Sequence, residues 1–151
     1  APNNTFIGYR AARANTSGQT NMAAGSYAFY TNTTGSYNTA LGANALYSNT
    51  TASNNTAVGY QAGYSNTTGG VTAFGSGALR SNTTGYSNVA VGGFDGTNNI
   101  NGALYSNSTG VNNSALGNGA LTTNTTGSNN AAVGFLALFA NTTAAENTSV
   151  G

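Results

Sequence analysis

Cysteine, histidine and tryptophan are absent from this 151-residue sequence, and charged residues are nearly absent as well. Without Cys or His there is no disulfide, thiolate nucleophile, imidazole base or His/Cys metal site. The two carboxylates, Asp95 and Glu146, are far apart in sequence, so a paired-carboxylate hydrolase is not indicated. We therefore expect a protein that is not an enzyme and has no cofactor.

The few charges are nearly balanced. Arg10, Arg13 and Arg80 leave a net charge of +1, which gives no electrostatic basis for binding nucleic acid or an anionic membrane. No apolar run approaches the roughly 20 residues of a membrane-spanning helix. Hydrophobic residues nevertheless make up 38% of the chain and recur in register, which argues against a disordered low-complexity segment. We expect an ordered protein without a nucleic-acid or membrane partner.

A tandem repeat runs through the whole chain. The glycine that ends the phrase Asn-Thr-Ala-Val-Gly recurs every 17 residues, apart from one spacing of 16 and one of 25. These glycines are Gly8, Gly25, Gly42, Gly59, Gly75, Gly92, Gly117, Gly134 and Gly151. The long spacing contains a loop insertion at about 93–101 (GFDGTNNIN). We expect residues 1–151 to form a single domain.

The repeat predicts the fold. We number each coil from its leading Asn, which places the glycine at position 5. Positions 3 and 8 are then almost always Ala, position 9 is mainly Leu, and position 10 is mainly aromatic. Seventeen residues are too few for a helix-pair repeat, and the Gly and Asn-Thr-Thr breaks oppose a helix. We predict an all-β protein, a parallel β-solenoid or β-roll of 17-residue coils with two short strands per coil, stacked about 4.8 Å apart.

Two columns of asparagine stand out. Amides stacked at strand spacing can hydrogen-bond along the stack, so position 1 predicts a structural Asn ladder. Its members are Asn4, Asn21, Asn38, Asn55, Asn88, Asn113, Asn130 and Asn147, with Val71 as the one gap.

Position 12 begins an Asn-Thr-Thr or similar triplet, and every member satisfies the N-glycosylation signal Asn-X-Ser/Thr. The glycosylation candidates are Asn15, Asn32, Asn49, Asn66, Asn82, Asn107, Asn124 and Asn141. Secondary candidates outside this column are Asn3, Asn54, Asn112 and Asn147. The alternative is a structural turn in which Asn and Thr bond the local backbone. We expect this turn on the outside of the rod, where a covalent glycan costs no packing; neighbouring Thr could carry O-linked sugar instead.

Three further patterns have structural alternatives. The position-10 tyrosines could stack on carbohydrate, although aromatic columns commonly just cover a sheet face. The segment DGTNN at 95–99 has some features of a calcium loop but lacks further acidic ligands, which favours a plain loop and no metal site. Paired Thr in each coil could suggest ice binding, but adjacent side chains such as Thr50 and Thr51 should diverge.

The phrase Asn-Thr-Ala-Val-Gly at 55–59, followed by Ala62 and Gly63, resembles the head repeats of trimeric autotransporter adhesins and related phage tail-fibre repeats. The resemblance extends from Asn4 to Gly151. It implies a left-handed parallel β-roll, a homotrimer and a role in attachment. The Asn-Thr-Thr-Gly turn departs from that pattern by adding about three residues per coil.

Both ends of the sequence carry nearly the same phrase, APNNTFIG and NTSVG. Such ends predict head-to-tail self-association into a filament. We expect an extracellular or cell-surface structural repeat protein, the glycosylated protomer of a stacked fibre. The alternatives are a trimeric adhesin head or phage tail-fibre segment that mediates attachment, and a passive repeat spacer within a longer surface protein.

Overall fold

A computed structural model describes residues 3–151. Nine short strands form one parallel sheet, in which each strand pairs with the next along the chain. The strands are β1 Thr5–Ile7, β2 Met22–Ala24, β3 Thr39–Leu41, β4 Thr56–Val58, β5 Thr72–Phe74, β6 Val89–Val91, β7 Ser114–Leu116, β8 Ala131–Val133 and β9 Thr148–Val150. No helix occurs between residues 3 and 151. The chain is therefore an all-β parallel solenoid, as the repeat predicted, about 40 Å long at the usual strand spacing.

The sheet keeps every repeat position in register. Ala40 pairs with Ala23 below and with Ala57 above, so position 3 forms a continuous column. These alanines point inward and are fully buried, whereas the residues at positions 2 and 4 face outward. The other wall of the core comes from the Ala of position 8 and the Leu or Phe of position 9, which are also buried except for the partly buried Ala11 and Leu138. Alanine on one wall leaves room for leucine on the other.

The second segment of each coil is not a strand, so the prediction of two strands per coil is wrong in this respect. In the third coil, Asn44 and Leu46 have φ of 58° and 49°, and the same alternation recurs in the other complete coils except the one with the insertion, where only the second of these two positions, Leu104, has positive φ. Leu46 N–H donates to the carbonyl of Ala62 in the next coil at 3.0 Å. The left-handed residues bend the segment around the core while its backbone still bonds to the neighbouring coil. Burial and these hydrogen bonds offset the cost of a left-handed leucine, about 1–2 kcal/mol.

The position-5 glycines allow the coils to stack closely. Gly59 has φ of 133°, and a Cβ on it would lie 2.6 Å from the backbone of Gly75 in the next coil. Any larger residue would both strain the backbone and separate the coils. The glycine column therefore permits adjacent coils to remain at strand spacing where the chain turns.

The insertion leaves the stack intact. Residues 93–101 leave the coil as a loop, and Ala103 N–H then donates to the carbonyl of Gly92 at 2.9 Å. This hydrogen bond closes the base of the loop. The next strand, β7, pairs with β6 in the same register as the others.

Candidate functional site

The position-12 asparagines lie inside the solenoid. Six are fully buried, namely Asn32, Asn49, Asn66, Asn82, Asn107 and Asn124, and Asn15 and Asn141 in the end coils are partly buried. Asn124 Nδ2 donates to Asn107 Oδ1 at 2.8 Å, and Asn107 Nδ2 donates to Asn82 Oδ1 at 2.8 Å. We call this column the inner ladder. The expectation that this turn presents its Asn side chain at the outside of the rod is wrong.

Burial of the inner ladder conflicts with glycosylation there. Each Nδ2 has two hydrogens, and in Asn107 one goes to Asn82 and the other to the carbonyl of Gly110. A sugar on Nδ2 would replace one hydrogen and would need space that the packed core does not contain. The folded coil therefore leaves no room for a glycan at the six buried members. Neighbouring coils supply the walls that enclose these amides.

The position-1 asparagines form the second column, as the repeat predicted. Asn113 Nδ2 donates to Asn88 Oδ1 at 3.2 Å, and Asn130 Nδ2 donates to Asn113 Oδ1 at 3.1 Å. The same Oδ1 also accepts the backbone N–H of the next member, as in Asn130 N to Asn113 Oδ1 at 3.0 Å. We call this column the outer ladder. The members from Asn21 to Asn130 are buried, whereas Asn4 and Asn147 in the end coils are partly exposed.

One carbonyl joins the two ladders within a coil. The carbonyl oxygen of Gly127, at position 15, accepts from Asn113 at 2.9 Å and from Asn124 at 2.9 Å. Ala52 accepts in the same way from Asn38 and Asn49. These contacts form a buried amide network in which donors and acceptors are matched. A matched network is rigid, whereas an orphaned member costs about 1–3 kcal/mol.

The network is interrupted at the 16-residue coil. Asn66 donates to Asn55 Oδ1 at 3.3 Å instead of to Asn49, its neighbour in the inner ladder. Val71 then occupies position 1 of the following coil, where its N–H donates to Asn55 Oδ1 but its side chain cannot continue the outer ladder. The loss of one residue and the Asn-to-Val replacement thus fall at the same place in the stack.

The accessible glycosylation signals are those outside position 12. Asn3, Asn54 and Asn112 are exposed, and Asn147 is partly exposed. Asn54 and Asn112 lie at position 17, where the chain turns with positive φ just before the next strand. Their side chains face solvent because the turn directs them away from the core. Among the Asn-X-Ser/Thr signals, the structure therefore exposes, fully or in part, those outside position 12 and buries six of those at position 12.

The hydroxyls at position 13 have a structural role. Thr33 Oγ1 donates to the carbonyl of Thr50 at 3.1 Å, and Thr125 Oγ1 donates to the carbonyl of Thr142 at 3.0 Å. Each bond links equivalent positions in successive coils. The position-14 residues beside them, such as Thr51 and Thr126, are exposed. This corner therefore presents one hydroxyl column to solvent and uses the other to tie coils together.

The position-10 aromatics stack along the rod. The rings of Tyr30 and Tyr47 are 5.2 Å apart, and those of Tyr47 and Tyr64 are 5.0 Å apart and nearly parallel. Arg80 replaces tyrosine in the next coil, with its Cζ 5.5 Å from the ring centre of Tyr64 and 5.6 Å from that of Tyr105. The guanidinium thus continues the stack between two aromatic rings, an arrangement stabilised by cation–π attraction.

Asp95 organises the inserted loop. Its Oδ1 accepts the N–H groups of Thr97 and Asn98 at 3.1 and 3.0 Å, and Oδ2 accepts Asn98 Nδ2 at 3.0 Å. Desolvation raises the pKa of Asp95, but the hydrogen bonds from Asn98, Ile100 and Thr97 outweigh it and hold the pKa below its ordinary value. Both carboxylate oxygens are occupied by loop N–H groups. Hydrogen bonds to this carboxylate therefore hold the turn of the inserted loop together.

A cavity of about 230 Å³ lies where the inserted loop meets the aromatic column. Its lining includes Arg80, Tyr105, Gln61, Tyr60, Phe94 and Asn101. Sequence reasoning missed this site because its residues come from three separate coils and the insertion. The available signal was Arg80 interrupting a run of tyrosines beside the only spacing of 25 residues.

Comparison with known proteins finds no matching family model, no similar curated protein and no similar solved structure. Within residues 3–151, no helix has the length and apolar character needed to cross a membrane. The same residues contain no group of three or more acidic, His or Cys side chains placed to hold a metal ion.

Proposed function

We propose that this chain is a structural protein that builds a rigid segment of an extracellular fibre by axial stacking of coils. The observation that carries the proposal is the equivalence of the coil-to-coil contacts. Most coils present the same strand, glycine, hydroxyl and amide groups to the next coil, as in the pairs Asn107–Asn124 and Thr125–Thr142. A coil surface that fits its neighbour inside the chain also fits the matching surface of another copy.

The buried amide network supports a mechanical role. Each coil adds a few short hydrogen bonds along the rod axis and buries little apolar surface alone, so stability accumulates by stacking. The largest fully buried apolar side chains of the described residues are Phe29 and the leucines at position 9, together with Val71. These features favour a stiff rod over a protein that changes shape.

Sugar decoration is a separate part of the proposal and concerns the exposed signals. Asn54 and Asn112 have solvent-facing side chains at equivalent turns. We place N-linked sugar there and not on the inner ladder. Two sites this far apart along the rod would give sparse decoration instead of a continuous sheath.

Electron microscopy of the purified chain tests the stacking proposal. We expect filaments one solenoid wide, with a repeat of about 4.8 Å along the axis in diffraction. The variant Gly117→Ala, which separates two coils within the chain, should shorten or abolish the filaments. The variant Thr126→Ala, at an exposed position, should leave the filaments unchanged. Discrete particles with no axial continuation at any concentration would contradict the proposal.

A second candidate is a trimeric attachment segment of the adhesin-head or phage tail-fibre type. The specific observation in its favour is the outer face of the sheet, where position 4 presents exposed apolar side chains. Ile7, Phe74, Leu116 and Val133 are 59, 41, 51 and 41% exposed and form one column. Sedimentation equilibrium distinguishes the candidates, since a trimer has three times the 14.9 kDa chain mass at all concentrations.

A further inference from the structure

The cavity beside the inserted loop combines a cation with exposed aromatic rings. Tyr60 and Phe94 are 54 and 45% exposed, so their faces are open to a ligand. Arg80 lines the same cavity, together with Gln61 and Asn101. Pockets that bind small molecules are typically lined by aromatic groups with a few placed polar groups. Its volume of about 230 Å³ lies below the usual range for drug-sized ligands and suits a single ring.

Arg80 is held in place before any ligand arrives. Its guanidinium lies between the rings of Tyr64 and Tyr105, at 5.5 and 5.6 Å from their centres. Its Nε donates to Gln61 Oε1 at 2.9 Å. Within residues 3–151 the two terminal nitrogens donate no hydrogen bond, so they are available to an acceptor. A guanidinium fixed by stacking and by one hydrogen bond loses little conformational entropy on binding.

Within residues 3–151 Arg80 forms no ion pair; its guanidinium contacts only the two tyrosine rings and Gln61. The carboxylate nearest to it in sequence, Asp95, already accepts N–H groups of Thr97 and Asn98 with Oδ1 and the Asn98 amide with Oδ2. Arg13, the other arginine at position 10, instead donates to Tyr30 Oη at 3.1 Å. Arg80 thus differs from its repeat equivalent by facing a cavity with its terminal N–H groups open.

We propose that this cavity binds a pyranose ring that carries a carboxylate, as in a uronic acid. The two terminal nitrogens of the guanidinium donate N–H groups to the two carboxylate oxygens, the two-point arrangement that arginine favours. The exposed faces of Tyr60 and Phe94 pack against the C–H surface of the ring, since aromatic rings combine apolar area with specific geometry. The side-chain amide of Asn101 supplies a hydrogen-bond partner for ring hydroxyls. This site does not depend on axial assembly, and it goes beyond the structural role proposed above.

Titration of the full chain with glucuronate, followed by NMR chemical shifts, tests the site. We expect saturable shifts at residues around Arg80 with a millimolar Kd. Methyl glucoside, which lacks the carboxylate, and acetate, which lacks the ring, should each bind about tenfold more weakly or worse. If acetate binds with the same affinity as glucuronate, the cavity is a simple anion site. If glucuronate gives no saturable shifts, there is no site. Either result overturns the proposal.

Matched variants locate the contacts. R80Q should weaken glucuronate binding by about tenfold or more, and R80K should recover part of the loss because it restores charge but not the planar fork. R13Q changes the equivalent position in the first coil and should bind like the parent chain. F94A should weaken both glucuronate and methyl glucoside, whereas F135A, another exposed phenylalanine, should weaken neither. Unchanged glucuronate affinity in R80Q, with the fold verified by circular dichroism, contradicts the assignment.

Discussion

Asn124 donates an Nδ2 hydrogen to Oδ1 of Asn107, its equivalent in the preceding coil, at 2.8 Å, and both side chains are fully buried. The same two residues begin Asn-Thr-Thr and Asn-Ser-Thr triplets that have the composition of a surface turn. The hydroxyl residues of the triplet do lie at the surface, but the asparagine turns inward. The signal that would direct sugar to this asparagine in another protein is here part of the internal framework.

Replacing a member of the inner ladder should strongly destabilise the rod. Asn107→Ala leaves Asn82 Oδ1 and one Nδ2 hydrogen of Asn124 without a buried partner. At about 1–3 kcal/mol for each of the two orphaned groups, we expect a loss of about 2–6 kcal/mol in the free energy of unfolding. Urea denaturation measures it. Thr109→Ala, an exposed change in the same turn, should have a free energy of unfolding within about 0.5 kcal/mol of that of the parent chain. A similar loss of stability in both variants would contradict the role of the ladder.

Replacing the same amide by a carboxyl group should make stability depend on pH. Asn107→Asp buries a carboxyl group among amide oxygens, which raises its pKa in the folded state above the ordinary value of about 3.9. The variant is therefore most stable below its unfolded-state pKa of about 3.9, where the carboxyl is neutral in both states. Its free energy of unfolding falls as pH rises from there through the higher pKa of the folded state. Unfolding by urea between acid and neutral pH should show this loss. Asn112→Asp, at an exposed position, should show no such trend, and parallel pH profiles would refute the prediction.

Two glycines of the same coil should respond differently to a methyl group. Gly59→Ala places a Cβ 2.6 Å from the backbone of Gly75 at a φ of 133°, and we expect a loss of about 3 kcal/mol. Gly63 has φ of 57°, close to the 49° of Leu46 at the same repeat position, and its Cβ would meet the flexible end of the Leu46 side chain. Gly63→Ala should therefore cost only about 1–2 kcal/mol, the ordinary cost of a left-handed residue. Thermal unfolding of both variants measures the difference, and equal costs would be inconsistent with close stacking at position 5.

The inserted loop should lose order in acid. Hydrogen bonds hold the pKa of Asp95 below its ordinary 3.8, so the ionised carboxylate stabilises the loop fully above that pH. This contribution disappears as pH falls through the lowered folded pKa. The amide shifts of Thr97 and Asn98 should then titrate with a midpoint below 3.8. The control variant Asp95→Asn keeps an acceptor oxygen but has no ionisable group, so its amide shifts should not titrate in this range. A midpoint above 3.8 in the parent chain would contradict the role of the hydrogen bonds.

Glycan mapping after secretion from a eukaryotic host should find sugar at Asn54 and Asn112 and none on the buried inner ladder. The reason is that a chain modified at a ladder position before folding cannot close that coil. Mass spectrometry of proteolytic peptides, with and without enzymatic deglycosylation, gives the occupancy at each site. Asn54→Gln should remove one glycan mass without loss of stability. Sugar at Asn107 in folded, soluble protein would be incompatible with the structure.

Much of the fold could be predicted from the repeat because stacking makes equivalent positions neighbours. A constant spacing of glycines brings each alanine of position 3 beside the next, and a parallel register follows, as in the pair Ala40–Ala57. The outer Asn ladder follows from the same reasoning. The second segment of each coil was predicted as a strand but is a segment with alternating left-handed residues. The sequence could not predict this, because leucine has no local preference for positive φ.

The sequence by itself determined the period, the parallel register and the inward alanines, since these depend on what repeats and at what spacing. Tertiary structure alone decided which way the position-12 asparagines face. The Gly110 carbonyl lies between Asn88 and Asn107 only after the coil has closed, and this shared acceptor, with the amides of adjacent coils, makes burial favourable. The cavity at Arg80 has the same origin: Tyr60, Phe94 and Tyr105 are distant in sequence, and stacking with one looped-out insertion brings them together.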